Sequence, residues 1–243
     1  MPQRLPGLTV FFPAYDEEEN VEAVVRHALE VLPRFADAFD VVIVDDGSRD
    51  RTGELADALA ARHPEVSVIH HPTNRGYGAA VRTGLRSARR PFVFYTDGDL
   101  QFDLADLGRL IGALDGVDAV VGHRLERQDP FVRLVIAWVY NRLIRILFGG
   151  GWRDVDCAFK LFRTEVFSRV PLERVRSDGA FFSPELLITL RAHRVPMRQV
   201  GVPHYPRTHG QAKGAPPKVI LRAIRDLLLL RWRLWRAQPS SDR

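Results

Sequence analysis

The sequence predicts an α/β fold: a mostly parallel central sheet flanked by helices on both faces. Three observations carry this. Short apolar runs recur at Leu8 to Pro13, Asp40 to Asp45, Val66 to His70, Phe92 to Thr96 and Val117 to Gly122, with the length and β-branched or aromatic content of buried strands. Helical stretches separate them, the alternation that builds parallel sheets covered on both sides. The acidic and glycine-rich motifs fall at the carboxyl ends of these runs, where such sheets bind ligands.

Taken in order, Pro13 ends the first strand, and Glu17 to Leu32 follows as a helix with Asp16 as its cap and acids in its first turn. Arg51 to Arg62, Gly78 to Ala88 and Asp103 to Leu114 are the helices after the second, third and fourth strands. Beyond Gly122 the pattern changes. Phe131 to Phe148 reads as a long apolar helix bearing Arg133, Arg142 and Arg145, stopped by Gly149-Gly150-Gly151. A compact region with Asp154, Asp156 and Glu185 follows, then a strand over Met197 to Tyr205 and a basic helix over Pro217 to Arg236. The chain thus divides into a domain over residues 1–215 and a basic helix with a short tail over 216–243.

The 243 residues suit one large domain, and a hydrophobic content of 46% is ample for its core. A net charge of +5, from 35 Lys and Arg against 30 Asp and Glu, favours a polyanionic partner: nucleic acid, nucleotide or an anionic membrane. Cys157 is the single cysteine, so no intrachain disulfide forms and a reducing, intracellular location fits. Met1 to Pro6 lacks the apolar core of a signal peptide. No run approaches the roughly 20 apolar residues that span a bilayer.

Thr96-Asp97-Gly98-Asp99-Leu100-Gln101 is the most informative motif. Two carboxylates one residue apart at a strand end repel, and each raises the other's pKa unless a cation neutralises them. A hard divalent ion with oxygen ligands resolves the conflict and also binds a diphosphate. Gly98 removes bulk between them, and Gln101 offers a third oxygen. Taken alone, Asp-Gly-Asp also suits an ordinary turn. Pro13-Ala14-Tyr15-Asp16-Glu17-Glu18-Glu19-Asn20 closes the first strand, where Tyr15 can lie against a base and an acid can bond ribose hydroxyls. Val44-Asp45-Asp46-Gly47-Ser48 closes the second, where Asp45 and Asp46 can accept from the ring imide of uracil or guanine; Asp50 suits a helix cap. Asn74-Arg75-Gly76-Tyr77-Gly78 is a tight loop that lets backbone approach a nucleotide, with Arg75 near phosphate. It follows the third strand, and Val81 stands where a dinucleotide-binding loop needs a small residue. The eight histidines show no metal-ligand spacing. His70-His71 reads as turn and surface, and Cys157 as a buried small residue.

As a set, Pro-Ala-Tyr-Asp-Glu-Glu-Glu-Asn, Val-Asp-Asp-Gly-Ser, the Asn-Arg-Gly loop and Asp-Gly-Asp-Leu-Gln resemble family 2 glycosyltransferases, inverting enzymes with a GT-A fold. Gln101, Gly122-His123-Arg124 and Val202 to Lys213 narrow the resemblance to the polyprenyl-phosphate branch typified by dolichol-phosphate mannose synthase. The resemblance runs from about Leu8 to Lys213 and makes residues 1–215 the catalytic domain. It implies that Pro13, Tyr15, Glu17, Asp45 and Asp46 hold the nucleoside, and that Asp97, Asp99 and Gln101 hold Mg2+ or Mn2+ on the donor diphosphate. It also implies Arg124 and Arg133 near the acceptor phosphate, and Arg207 and Lys213 over the phosphates. His123 and Ala212 stand where serines are usual, and Phe102-Asp103 where His-Pro-Pro is common. Asp154-Val155-Asp156-Cys157-Ala158-Phe159-Lys160 replaces Asp-x-x-Ser-Gly-Phe, leaving Asp154 and Asp156 as alternatives for one acidic role.

The resemblance implies transfer of a hexose from a nucleotide-sugar, GDP-mannose first and UDP-glucose next, to a polyprenyl phosphate, with no nucleic-acid partner. Such an acceptor places the enzyme in the cytoplasm, peripheral on the inner face of a membrane. The last helix fits this: Lys218, Arg222, Arg225, Arg231, Arg233 and Arg236 alternate with Leu and Trp, the composition of a helix lying in a membrane interface. Such composition also suits a helix packed on the domain with its arginines in solvent. Two rivals remain. One is a soluble family 2 transferase acting on a sugar or protein hydroxyl, with Asp154, Asp156 or Glu185 as general base. The other is a non-catalytic nucleotide- or membrane-binding module.

Overall fold

The computed structural model describes residues 4–125, 131–207 and 217–237, without the side chains of 131–135, 217–220 and 235–237. Seven strands form one sheet: β1 (Leu8–Ala14), β2 (Phe39–Asp45), β3 (Val66–His70), β4 (Phe92–Tyr95), β5 (Ala119–Leu125), β6 (Lys160–Arg163) and β7 (Met197–Pro203). Their spatial order is β3-β2-β1-β4-β6-β5-β7. β6 runs antiparallel to both its neighbours, and the other pairings are parallel. Six strands therefore end on the same edge, and β6 begins there.

The strands are continuous apolar runs because both faces are covered. Val10, Phe12, Val41, Ile43, Phe92 and Phe94 point into one core, with α1 (Val21–Val31), α2 (Thr52–Arg62) and α4 (Leu107–Ile111). Phe11, Val42, Val44, Val93 and Tyr95 point into the other, with α3 (Tyr77–Ser87), α6 (Val166–Arg169) and α7 (Phe182–Ala192). Each large side chain so buried contributes about 1.5–3 kcal/mol. Gly84 lets α3 lie flat on β1, since a Cβ there would stand 2.2 Å from the Phe11 ring. A third apolar cluster joins α5 (Phe131–Phe148), α7 and α8 (Pro217–Ala237) through Ile144, Trp152, Phe181, Leu187, Leu227 and Leu230.

Several boundaries differ from expectation. The first helix starts at Val21, after Asn20, and Asp16 does not cap it. Asp16 is left-handed (φ 49°), and its carboxylate accepts from the Arg49 backbone N–H. Asp16 and Glu18 are thus spent on the loop after β2: Glu18 accepts from the Arg51 N–H, while the Glu17 and Glu18 backbone N–H groups donate to Thr52 and Asp50. The segment expected as a helix from Asp103 to Leu114 is a 3₁₀ turn, Leu104–Asp106, followed by the short α4; Asp103 caps the turn by accepting from the Ala105 N–H. β5 extends beyond Gly122 to Leu125 because His123, Arg124 and Leu125 pair with Gly201, Val202 and Pro203 of β7. The compact region after Gly151 contains β6 and α7. Phe182 to Leu190 of α7 are all buried, so that helix has no polar stripe by which to be recognised.

Candidate active site

The shared strand edge gathers the motifs. Asp97 and Asp99 follow β4, with Leu100 left-handed between Asp99 and Gln101 (φ 58°). Asp97 Oδ1 is enclosed and has no hydrogen-bond partner, while the Tyr77 hydroxyl from α3 bonds the same carboxylate. Burial, and then the charge of Asp99, push Asp97 up to about 7. Burial also raises Asp99, opposed by Arg207 and by the Gln101 backbone N–H at 3.2 Å. An unpartnered carboxylate oxygen beside a second buried carboxylate is a fitting place for a hard cation. Among the described residues no three His, Cys, Asp or Glu converge as a complete metal cage. A Mg2+-type ion needs none, since one or two carboxylates plus substrate phosphates suffice.

Arg207, just beyond β7, completes this corner. Its guanidinium lies 2.6 Å from Glu17 Oε1 and 4.0 Å from Asp99 Oδ2, and Asn20 donates to the other Glu17 oxygen at 2.7 Å. Gln101 is zipped to the same segment: its Nε2 donates to the Tyr205 carbonyl (3.1 Å), and its own carbonyl accepts from the Tyr205 N–H (2.9 Å). The expectation for Gln101 as a metal ligand therefore rests on its Oε1 alone.

The acids after β2 serve the loops. Asp46 is buried and accepts from His71 (2.6 Å), the Arg75 N–H (2.9 Å) and the Gly76 N–H (2.8 Å). Gly76 at φ 99° makes that approach possible, and a Cβ there would meet the Asp178 carbonyl at 2.4 Å. Asp46 thus holds the Asn74-Arg75-Gly76 loop at the end of β2. Asp45 accepts from the Ser48 N–H (3.0 Å) and pairs with His70 (2.9 Å), which also meets Asp57 (3.0 Å). His71 is buried between Asp46 and Thr83, which corrects its expected surface position. Pro13 and Tyr15 sit partly exposed above Ala14, and the Arg75 side chain is exposed.

On the β5 side, Arg124 makes a bidentate pair with Asp154, 2.6 Å from Nε and 2.8 Å from the terminal nitrogen. Both side chains are largely buried; Asp156 is half-buried, and its charge reaches Tyr77 and Arg124. Glu185 is fully buried, accepting from the Ser177 N–H (2.8 Å) and from Arg233 (3.0 Å). It is an anchor for α8, which corrects the expectation of a possible general base there. Arg133 lies in α5 with its side chain outside the described set, and Lys213 lies outside the described residues.

Two residues of the site escape sequence reasoning. Tyr77 reads there only as part of a loop. Lys160, at the start of β6, is fully buried behind Tyr95; its Nζ donates to the Val155 and Cys157 carbonyls and to Ser183 Oγ, and its charge is felt at Asp97. Its one signal is a lone lysine in the apolar run Phe159-Lys160-Leu161-Phe162. The antiparallel β6 starts where its neighbours end, and so it brings the Asp154–Asp156 segment to the site.

This strand order, with an acid pair after β4, defines a GT-A glycosyltransferase. Residues 9–170 match the model of glycosyl transferase family 2, and the chain belongs to that family. It is 32% identical over 235 residues to glycosyltransferase AglD of Haloferax volcanii, covering 93% of this chain and 37% of that protein. It is 34% identical over 187 residues to polyprenol monophosphomannose synthase of Mycolicibacterium smegmatis, covering 73% of this chain and 69% of that one. Identity to the undecaprenyl-phosphate 4-deoxy-4-formamido-L-arabinose transferase of Pseudomonas aeruginosa is 32% over 215 residues, 87% of this chain and 61% of the relative. The chain thus spans little more than a third of the first relative and under two thirds of the third. Glucosyl-3-phosphoglycerate synthase of Mycobacterium tuberculosis, solved with Mn2+, UDP and phosphoglyceric acid, shares the fold with a TM-score of 0.70 at 19% identity, over 97% of this chain and 80% of that one.

Proposed function

We propose that this chain transfers a hexose, with inversion, from a nucleotide-sugar to a polyprenyl phosphate at a membrane surface. The enclosed, unpartnered Asp97 oxygen beside Asp99 carries the reading, because it marks a cation site where a donor diphosphate would lie. The names of the polyprenol monophosphomannose synthase and the undecaprenyl-phosphate formamido-arabinose transferase among the relatives support a lipid-phosphate acceptor. Mannose from GDP-mannose is the first donor to test, with UDP-glucose next.

The acceptor phosphate is anionic at neutral pH and is itself the nucleophile. An acceptor oxygen bonds the anomeric carbon as that carbon's bond to the donor diphosphate breaks, so no general base is required. The chain's work is positioning and charge stabilisation. Pro13, Tyr15, Glu17, Asp45 and Asp46 would bound the nucleoside, with Asp46 also holding the Arg75 loop beside it. Asp97 and Asp99, with Gln101, would hold Mg2+ or Mn2+, which supplies positive charge to the diphosphate. Arg207 and Lys213 stabilise the leaving diphosphate, and Arg124 and Arg133 steer the acceptor.

Residues 1–215 are the catalytic unit in this reading, and 216–243 the interfacial one. Leu221, Leu228, Leu229 and Trp232 of α8 are exposed beside Arg222, Arg225 and Arg231, and Trp138, Val139 and Ile146 of α5 beside Arg142 and Arg145. Apolar and cationic side chains interleaved in this way suit an anionic membrane surface. Among the described residues no helix is long and apolar enough to cross a membrane. The test is a panel of radiolabelled nucleotide-sugars with a short polyprenyl phosphate. A lipid-extractable, chelator-sensitive product is expected. Label transferred only to water-soluble acceptors would overturn the reading.

A further inference from the structure

We infer that Arg207 is the resident counter-ion of the acidic corner, competing with the metal until a nucleoside diphosphate draws it away. The inference rests on the assignment of Asp97 and Asp99 as the metal site. The Gln101–Tyr205 bonds pin the residues after β7 to the very loop that carries Asp99. From that anchor the Arg207 guanidinium reaches Glu17 at 2.6 Å and Asp99 at 4.0 Å. The three side chains are largely buried, with exposures of 16%, 12% and 13%.

Buried carboxylates need a cation, and without a metal the guanidinium supplies it. The same placement hinders a divalent ion. It sets a positive charge at the edge of the site, 4.0 Å from Asp99 Oδ2, where it repels an approaching cation. A diphosphate offers Arg207 a stronger partner, since guanidinium forks match phosphate oxygens and charge-assisted pairs of this kind are strong. Once Arg207 turns to the diphosphate, its positive charge leaves the side of Asp99, and the ion takes its place. Metal and nucleotide then each favour the other's binding, and the coupling is reciprocal. Besides stabilising the leaving diphosphate, Arg207 thus suppresses metal uptake by the empty enzyme.

The experiment is Mn2+ titration followed by electron paramagnetic resonance, with and without saturating UDP or GDP, on wild type, Arg207→Met and Arg207→Lys. Arg207→Met should bind Mn2+ alone more tightly by roughly five- to tenfold, at the low end of couplings between linked sites. It should also lose most of the gain that nucleotide brings. Arg207→Lys keeps a charge and should stay near wild type without nucleotide. Unchanged or weaker Mn2+ binding by Arg207→Met alone would overturn the inference while leaving the metal site in place. No Mn2+ uptake by wild type, even with nucleotide, would overturn the metal assignment itself. A second readout needs no variant: the Arg207 guanidinium NMR signal should shift when UDP or GDP is added without metal. If neither nucleotide moves it, the exchange does not occur.

Discussion

At the scale of single residues, charge decides most of the site. Asp99 is held by burial in an unfavourable state that a cation relieves, so Asp99→Ala should abolish metal-dependent donor binding while the fold survives. Isothermal titration with donor and Mn2+ reads the loss, and circular dichroism reads the fold; normal donor affinity would show that the ion sits elsewhere. His70 gives a pH signature. Its pKa is raised above 6.5 by hydrogen bonds to Asp45 and then Asp57. A raised histidine stabilises the fold fully below its unfolded pKa and ceases to do so as pH rises through the folded value. His70→Gln should therefore lower the melting temperature more at about pH 5.5 than at about pH 8.5, on either side of the ordinary histidine range. An equal loss at both would mean that the ring acts by packing and not by charge.

Between elements, the decisive links are polar side chains reaching from one segment to another. Asp46 ties the β2 end to the loop before α3, and Arg233 ties α8 to α7 through Glu185. Breaking a buried pair from one side leaves a charge without compensation, which costs about 3–5 kcal/mol when fully buried. Arg233 is a quarter exposed, so Arg233→Met should cost less, on the order of 2 kcal/mol. Adding Glu185→Gln to Arg233→Met should recover part of the loss, because no charge then remains buried. Urea unfolding of the single and double variants measures this. Strict additivity would mean the two groups are not coupled.

For the molecule as a whole, α8 has two apolar faces. Leu227 and Leu230 are buried in the cluster with α5 and α7, while Leu221, Leu228 and Trp232 are 66%, 58% and 48% exposed. Deleting the helix would therefore remove core as well as surface. Leu221→Ser, Leu228→Ser and Trp232→Ser together leave the core face intact. This variant should keep its melting temperature, lose co-sedimentation with anionic liposomes, and lose activity on long polyprenyl phosphates more than on short ones. Wild-type binding should weaken with salt as the arginine contribution is screened. Unchanged sedimentation would place this face elsewhere than at a membrane.

The strands of the first half, the acid pair at the end of β4 and the family were legible in the sequence, because each is a local pattern: apolar runs of strand length, and motifs of adjacent residues. Tertiary structure alone decided what depends on segments far apart in the chain. It made β6 antiparallel, which carries Asp154 and Asp156 to the site, and it set Asp154 against Arg124. It turned Asp16 and Glu18 from the start of a helix into a lacing with the β2 loop, and tied Asp46 to the loop before α3. It buried Glu185 against Arg233 and put Arg207 against Glu17, a pairing across 190 residues. Residue type shows that a charge is present, but its partner is chosen by whichever distant group the fold brings within hydrogen-bond distance.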